Sequence, residues 1–306
     1  ADLALYAAKD EGRGLFMFFE PAMDEVLQAR RRLEMDLRAA MMDGDLAVHY
    51  QPLVDLKSGK PSGYEALLRW EHKDHGMVPP GVFVPLAEDT GLIGQIGQMV
   101  LHRACADAAR WPSDAKVAVN LSPIQFKSCN VLDTVVKALA ASGLPAARLE
   151  LEITEALLLE RDDNVVAALK GLRTLGVGLS LDDFGTGYSS LSYLRAFPFT
   201  KIKIDQSFVK DVHCTPESQA IVRAILSLGK NLGLAVVAEG VEHAEDLVFL
   251  VNEGCEEGQG YLFSDAKATG ELFPDAIVAD AMTAPVAELS DWRLERDDQK
   301  QEREAS

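Results

Sequence analysis

The chain has 306 residues, 48% of them hydrophobic and 7% aromatic, and 48 acidic against 30 basic residues leave a formal charge of -18. That is material for one large core, which barrels of roughly 250 residues form as a single domain. The negative balance excludes a sequence-independent grip on DNA or RNA through a basic face, so no nucleic acid polymer is expected as a partner. Cys105, Cys129, Cys214 and Cys255 are far apart with no C-x-x-C pair, which argues against a zinc site or a disulfide framework and fits reduced thiols. No apolar run approaches the roughly 20 residues that span a bilayer, and the first residues lack a basic-then-apolar signal. A soluble, cytoplasmic chain without membrane contact of its own is expected, with room for an anchor in any upstream part.

In chain order, residues 1–44 read as helical, with Leu33, Leu37 and Met41 recurring every four residues among arginines and acids. Eight strand candidates follow, at residues 48–56, 63–70, 116–122, 148–154, 178–185, 200–205, 234–241 and 259–263. From the third onward, amphipathic stretches such as 131–141, 164–175 and 218–232 separate many of them, the βα alternation of a parallel sheet. Between the first two lies only a turn with Lys57, Ser58, Gly59 and Lys60, which joins antiparallel neighbours. The expected fold is an α/β, TIM-like (β/α)8 barrel with one antiparallel strand. Residues 284–306 are polar and charged and read as a mobile tail or a frayed helix.

Strands buried on both faces should be almost wholly apolar, since an unpaired ionisable group inside one costs several kcal/mol. Seven of these eight runs instead carry polar residues, mostly towards their C-terminal ends: Glu65 with Arg69, Asn120, Glu152, Asp182 with Asp183, Lys203, Glu239 and Gln259. In a βα barrel that rim assembles the active site. The donors among them are oxygens, with no histidine or cysteine, which suits magnesium or manganese rather than zinc. Crowded carboxylates would repel without cations, and adjacent Asp182 and Asp183 allow one to bridge two metals, an arrangement suited to in-line attack on a phosphodiester. Period-two alternation places Glu65 and Arg69 on one face, the arginine for a phosphate oxygen. It places Lys201, Lys203 and Asp205 on another, with Ile202 and Ile204 turned to the helices. Lys203 is assigned to orienting or deprotonating the attacking water. Glu150 and Lys201, two residues earlier, read as a deeper ion pair or as further functional groups. The six histidines are scattered and receive no role.

At these residues the sequence resembles the EAL family of cyclic di-GMP phosphodiesterases over roughly residues 46–263. The naming motif stands at Glu65, Ala66 and Leu67, with Leu68 and Arg69 after it. Further motifs stand as YQP from Tyr50, NLSP from Asn120, LEITE from Leu151, DDFGTGYSS from Asp182, KIKID from Lys201, AEGVE from Ala238, and GQGYLF. The resemblance implies that Glu65, Asn120, Glu152 and Asp182 hold one metal and that Asp182, Asp183 and Glu239 hold a second. It implies that Lys203 is catalytic together with Glu239, and that Glu155 supports a gating loop of Asp183, Phe184, Gly185, Thr186, Gly187, Tyr188 and Ser189. Gln51, Arg69, Asp205, Glu242 and Gln259 are assigned to substrate. Two Mg2+ or Mn2+ ions are expected, with Ca2+ inhibiting, and the reaction implied is hydrolysis of cyclic di-GMP to linear pGpG by a homodimer. The apolar stripe from Tyr188 to Phe197 serves either core packing or that dimer contact.

Residues 1–25 resemble the end of a GGDEF domain whose catalytic part is absent, 26–44 a linker helix, 45–283 the EAL barrel and 284–306 the tail. Ser264, Asp265, Ala266 and Lys267 stand where the family usually has an arginine-proline pair. Two other readings compete. A binding module would hold the nucleotide without cutting it, yet such relatives usually lack metal ligands that this sequence keeps. A magnesium-dependent lyase, or an aldolase with Lys203 in a Schiff base, is the third. Against it, flanking Asp205 and the nearby carboxylates would hold that lysine charged.

Overall fold

The computed structural model describes residues 21–158, 162–186, 194 and 197–272, with side chains from residue 28 onward apart from 128 and 158. The GGDEF-like opening before residue 21, the second half of the gating loop, most of the apolar stripe and the charged tail lie outside the described residues. The chain divides into two compact units, residues 1–47 with 68–96, and residues 48–67 with 97–306.

The larger unit is built on a closed barrel. Its strands are β1 (Leu46–Asp55), β2 (Lys60–His72), β4 (Lys116–Leu121), β5 (Leu149–Thr154), β6 (Gly178–Phe184), β7 (Lys201–Ile204), β8 (Ala235–Ala238) and β9 (Glu257–Gly258). They lie in the order β1-β9-β8-β7-β6-β5-β4-β2, and pairing of β1 with β2 closes the ring. From β2 through β9 the ladders are parallel. β1 runs against β9, with Val54 opposite Gly258 and Asp55 opposite Glu257, so the expected reversed strand is the first. The reversal follows from a tight turn: the Asp55 side chain accepts from the Ser58 N–H, and the Asp55 carbonyl accepts from Gly59 at 2.8 Å. Gly59 takes a left-handed φ of 69°, which glycine adopts without strain.

Local signals set the helices that connect the strands. Asn130 caps α5 (Val131–Ser142), which ends at left-handed Gly143; Asp162 caps α7 (Asp163–Thr174). Pro216 opens α9 (Pro216–Leu232), which ends at left-handed Gly233. The eighth strand departs from the sequence reading. The ladder takes Glu257 and Gly258, and the run 259–263 is a turn instead. Its backbone pairs with the loop after β8, the Val241 N–H donating to the Gln259 carbonyl and Leu262 N–H to the Val241 carbonyl. Two short strands also escape the pattern, β10 (Lys267–Ala268) against β1 and β3 (Gly76–Val78) against β2. Each is too short to show a period.

Leu53, Ala118 and Val237 form a fully buried apolar cluster, and below the rim the barrel is filled by an ionic layer. Lys201 Nζ lies 2.8 Å from both Glu150 Oε1 and Glu257 Oε2. Glu150 and Lys201 are therefore a deep ion pair, with Glu257 as a third member that the sequence did not suggest. Burial works against the Lys201 charge, but the two carboxylates outweigh it and raise its pKa.

The smaller unit holds α1 (Pro21–Asp43), α2 (Pro80–Asp89) and β3. Arg30 pairs with Asp89. His72 is buried, its Nδ1 accepts from the Asp74 and His75 N–H groups, and its Nε2 lies 3.3 Å from Asp36 Oδ2. It is a packing histidine. Among the described residues no helix is long and apolar enough to cross a membrane.

Replacing one member of a buried ionic cluster leaves uncompensated charge. Lys201→Met is therefore expected to destabilise the protein by about 3 kcal/mol or more, measured by urea unfolding. A loss below about 0.5 kcal/mol would show that the layer contributes nothing to the fold.

Candidate active site

Parallel register delivers the polar residues to one rim. Glu65 lies level with Ala118, Asn120 with Glu152, and Thr154 with Asp182, while Lys203 is level with Val237 and the Glu239 N–H bonds the Ile204 carbonyl. With side chains alternating, Glu65, Asn120, Glu152, Asp182 and Lys203 converge on the barrel interior.

Lys203 sits at the centre, fully buried. Its Nζ lies 2.6 Å from Glu239 Oε1, 2.8 Å from Glu152 Oε2, 3.4 Å from Asp182 Oδ1 and 3.5 Å from Glu65 Oε2. Burial opposes the ammonium charge, but the four carboxylates win and raise the Lys203 pKa well above its ordinary value. Glu65 also accepts from Asn120 Nδ2 and Gln259 Nε2, both at 2.6 Å. Burial pushes its pKa up, yet Lys203 and these donors hold it down overall. Glu152 is driven well upward by burial and by neighbouring Glu65, more than Lys203 offsets. Glu239 is raised to about 8, by burial first and then by Asp182 and Glu65 against the pull of Lys203. One ammonium does not neutralise this set.

The open end of the cluster is shaped by an irregularity in β6. Its ladder to β7 shifts between Leu181 and Phe184, and Asp183 has a φ of 53°, as at a bulge that re-aims a side chain. Asp182 stays buried while Asp183 turns outward, and the ligand oxygens of Asp182, Asp183 and Glu239 come within 4.8 Å of one another. Burial, then Asp182, then Asp205 raise the Asp183 pKa. Glu155, opening α6 (Glu155–Leu158), accepts the Gly185 N–H at 3.0 Å. Gly185 has a φ of 103°, and a Cβ there would stand 2.9 Å from the Phe208 ring. The described half of the predicted gating loop is thus tied to Glu155; Gly187, Tyr188 and Ser189 lie outside the described residues.

The donor set fits a hard divalent cation: it offers carboxylate and amide oxygens only, and buried Glu152 Oε1 has no hydrogen-bond partner among the described residues. Above it opens a cleft of about 210 Å³ whose lining includes the predicted Gln51, Glu65, Asp183, Asp205, Glu239, Glu242 and Gln259. Gln259 Nε2 also donates to Gln51 Oε1, and Gln51 Nε2 to the Ser264 carbonyl. Glu152, Asp182 and Lys203 belong to the buried cluster, and Asn120, itself exposed, reaches it through its bond to Glu65. Arg69 Nη1 donates to the Leu68 carbonyl of its own strand.

Two expectations need amendment. The carboxylates paired with Lys203 are Glu65, Glu152, Asp182 and Glu239, whereas the Asp205 carboxylate caps α8 (Gln206–Val209) by accepting from the Ser207 N–H and hydroxyl. The cleft also includes Gln206, Gly240 and Tyr261, which sequence reasoning missed. Tyr261 was hidden because its run read as a buried strand, although its place two residues after Gln259 was a usable signal.

Residues 34–266 match the family described as EAL domain. The chain is 51% identical over 261 residues to an uncharacterized signaling protein of Caulobacter vibrioides, covering 85% of this chain and 32% of that protein. It is 45% identical over 266 residues to the bifunctional diguanylate cyclase/cyclic di-GMP phosphodiesterase MucR of Pseudomonas aeruginosa, covering 86% and 39%. It spans about a third of the length of such relatives. Among solved structures it is similar to the PaMucR phosphodiesterase in complex with c-di-GMP, with a TM-score of 0.76 and 43% identity over 79% of this chain and 100% of that one.

With its pKa raised to about 8, the Glu239 carboxyl stays partly protonated near neutrality and must shed that proton to become a ligand. Mn2+ affinity is therefore expected to rise between about pH 6 and about pH 8, the region set by Glu239. Calorimetry in buffers of different ionisation heat should record proton release, and Asp182→Asn should weaken binding by roughly 10- to 100-fold or more. Affinity that is flat with pH would remove Glu239 from the ligand set.

Proposed function

The chain belongs to the EAL domain family, and on that premise we propose that it is a metal-dependent phosphodiesterase that hydrolyses one diester of cyclic di-GMP to linear pGpG. The observation that carries this reading is the cluster of Asp182, Asp183 and Glu239 beside a buried Lys203 bonded to Glu152 and Glu239. Similarity to a phosphodiesterase solved with c-di-GMP supports the substrate.

Glu65, Asn120, Glu152 and Asp182 would hold one Mg2+ or Mn2+ ion, and Asp182, Asp183 and Glu239 a second. Such ions, once bound, polarise the phosphodiester and offset the excess negative charge. Lys203, kept an ammonium by its neighbours, donates to Glu239 and Glu152 and orients the attacking water; a charged lysine cannot also take the water's proton. That proton goes to a carboxylate oxygen of the cluster. Gln51, Asp205, Glu242 and Gln259 supply amides and carboxylates around the nucleotide, and on sequence grounds Arg69 is assigned to a phosphate oxygen and the assembly to a homodimer. Glu155 anchors the first half of the gate through Gly185.

The binding-module reading is disfavoured because all six metal-ligand positions carry oxygen donors. The Schiff-base reading is disfavoured because a lysine facing four carboxylates is a poor free amine.

Chromatography of cyclic di-GMP incubated with the protein and Mg2+ or Mn2+ should show pGpG, with none in a Ca2+ sample. Glu65→Ala is expected to abolish detectable product, and Lys203→Met to lower kcat by roughly 10²- to 10⁴-fold. Tight binding with no product from the wild type would instead establish a receptor, and trapping by borohydride an imine.

A further inference from the structure

We propose that Tyr50 and Asp107 are positioning residues for the cleft: the hydrogen bond between them clamps β1 to residues 264–269 and so fixes the Gln51 amide that spans the two. The assignment rests on the phosphodiesterase reading above, in which Gln51 meets the nucleotide. Tyr50 opens the YQP motif, and with side chains alternating along β1 it points away from the cleft that Gln51 lines. Its ring is fully buried and meets the Trp111 ring edge to face, with centroids 5.4 Å apart. A phenylalanine would fill that space equally well, so the hydroxyl needs a reason of its own.

That reason lies on α3 (Ile93–Ala108). Asp107 is 3% exposed, and its Oδ2 accepts from the Tyr50 hydroxyl at 2.8 Å, from Arg103 Nε at 2.9 Å and from Thr269 Oγ1 at 3.0 Å. One oxygen thus gathers donors from β1, from α3 itself and from the residue that follows β10. A buried carboxylate is costly unless it is both bonded and paired, and here Arg103 supplies the opposite charge. Burial, then the bond to Asp107, raise the Tyr50 pKa, so its hydroxyl stays a donor.

The two segments that Asp107 joins are the ones that Gln51 spans. Gln51 Nε2 donates to the Ser264 carbonyl at 3.1 Å, and its Oε1 accepts at 3.0 Å from Gln259 Nε2, which also donates to Glu65 Oε2 at 2.6 Å. An amide held at both ends keeps its orientation only while its anchors keep their spacing. The backbone does little to secure that spacing, because β10 faces β1 at two positions, His49 opposite Ala268 and Tyr50 opposite Lys267. The Asp107 clamp stands at the end of this short ladder, with Tyr50 on one strand and Thr269 directly after the other. Without it the ladder is free to shift, Gln51 loses an anchor, and binding must order an amide that the wild type presents already fixed.

The test is a double-mutant cycle in steady-state hydrolysis of cyclic di-GMP with Mg2+, using the wild type, Tyr50→Phe, Gln51→Ala and the double variant, with thermal melting of each. Tyr50→Phe keeps the ring and its packing, and should raise KM roughly 2- to 10-fold, the size of one hydrogen bond, with a smaller change in kcat. In the Gln51→Ala background the same substitution should leave KM unchanged, since the side chain it positions is gone. Thr269→Val, which removes a different donor to the same Asp107 oxygen, should repeat the KM pattern and guards against a Tyr50 variant that fails to fold. A lower melting temperature with unchanged KM in both Tyr50→Phe and Thr269→Val would reduce the clamp to a stability device and overturn the proposal. So would KM losses that multiply in the double variant, which would make Tyr50 independent of Gln51. A wild type that forms no pGpG would overturn the phosphodiesterase reading, and this inference with it.

Discussion

Four carboxylates share one ammonium inside the rim of this barrel, and much of the rest of the structure exists to make that tolerable. Lys203 lies within 3.5 Å of Glu65, Glu152, Asp182 and Glu239, so no carboxylate has the cation to itself. The deficit shows in opposite pKa movements. Glu65, with two amide donors besides Lys203, stays acidic; Glu152 and Glu239 are driven upward by burial and mutual repulsion. Groups so close that differ so much in proton affinity are what acid–base chemistry at neutral pH requires. A site of this charge is also poised for divalent cations, because each ion relieves repulsion that folding has already built in.

The barrel's irregular first strand contributes to this arrangement. Since β1 opposes β9, its final residues lie at the lower end, where Asp55 is level with Glu257. Glu257 in turn belongs to the ionic layer with Lys201 and Glu150. The earlier part of the same strand then reaches the upper rim, where Gln51 accepts from Gln259. A parallel strand would present its C-terminal end there instead. Reversal thus changes which residues of the segment meet the polar cleft, and the Gln51–Gln259–Glu65 chain links that strand to the carboxylate cluster.

Period and chemistry made most of this visible in the sequence. Charged residues at alternate positions in apolar runs are costly unless they meet partners, and Glu65, Glu152, Asp182 and Lys203 do meet one another. The short turn at Lys57 to Lys60 forced an antiparallel neighbour, which β1 is. The eighth strand was misplaced because Tyr261, Leu262 and Phe263 have strand-like composition, whereas the ladder uses Glu257 and Gly258 and the aromatic-rich run turns away. Nothing local distinguishes the buried face of Phe263 from the exposed face of Tyr261; that is decided by Gly260 closing on Val241. Asp205 shows the complementary failure. Alternation put it on the face of Lys203, but the strand ends at Ile204 and its carboxylate turns to cap the next helix.

The bulge in β6 joins the chemistry to the loop that follows. Within a regular strand, Asp182 and Asp183 would point to opposite faces, and only one could reach the cluster. The register shift and the left-handed φ of Asp183 bring both carboxylates within reach of Glu239. Such a conformation costs of order 1–3 kcal/mol unless neighbours hold it. They do so from two sides: Asp182 accepts the Asp183 N–H at 3.0 Å, and Glu155 accepts the Gly185 N–H two residues on. Glu155 follows Glu152 by three residues, so the segment that supplies one carboxylate of the cluster also fixes the backbone that aims Asp183. Position of the backbone at Gly185 and geometry of the Asp182, Asp183 and Glu239 group are therefore one variable, and whatever moves the one changes the other directly.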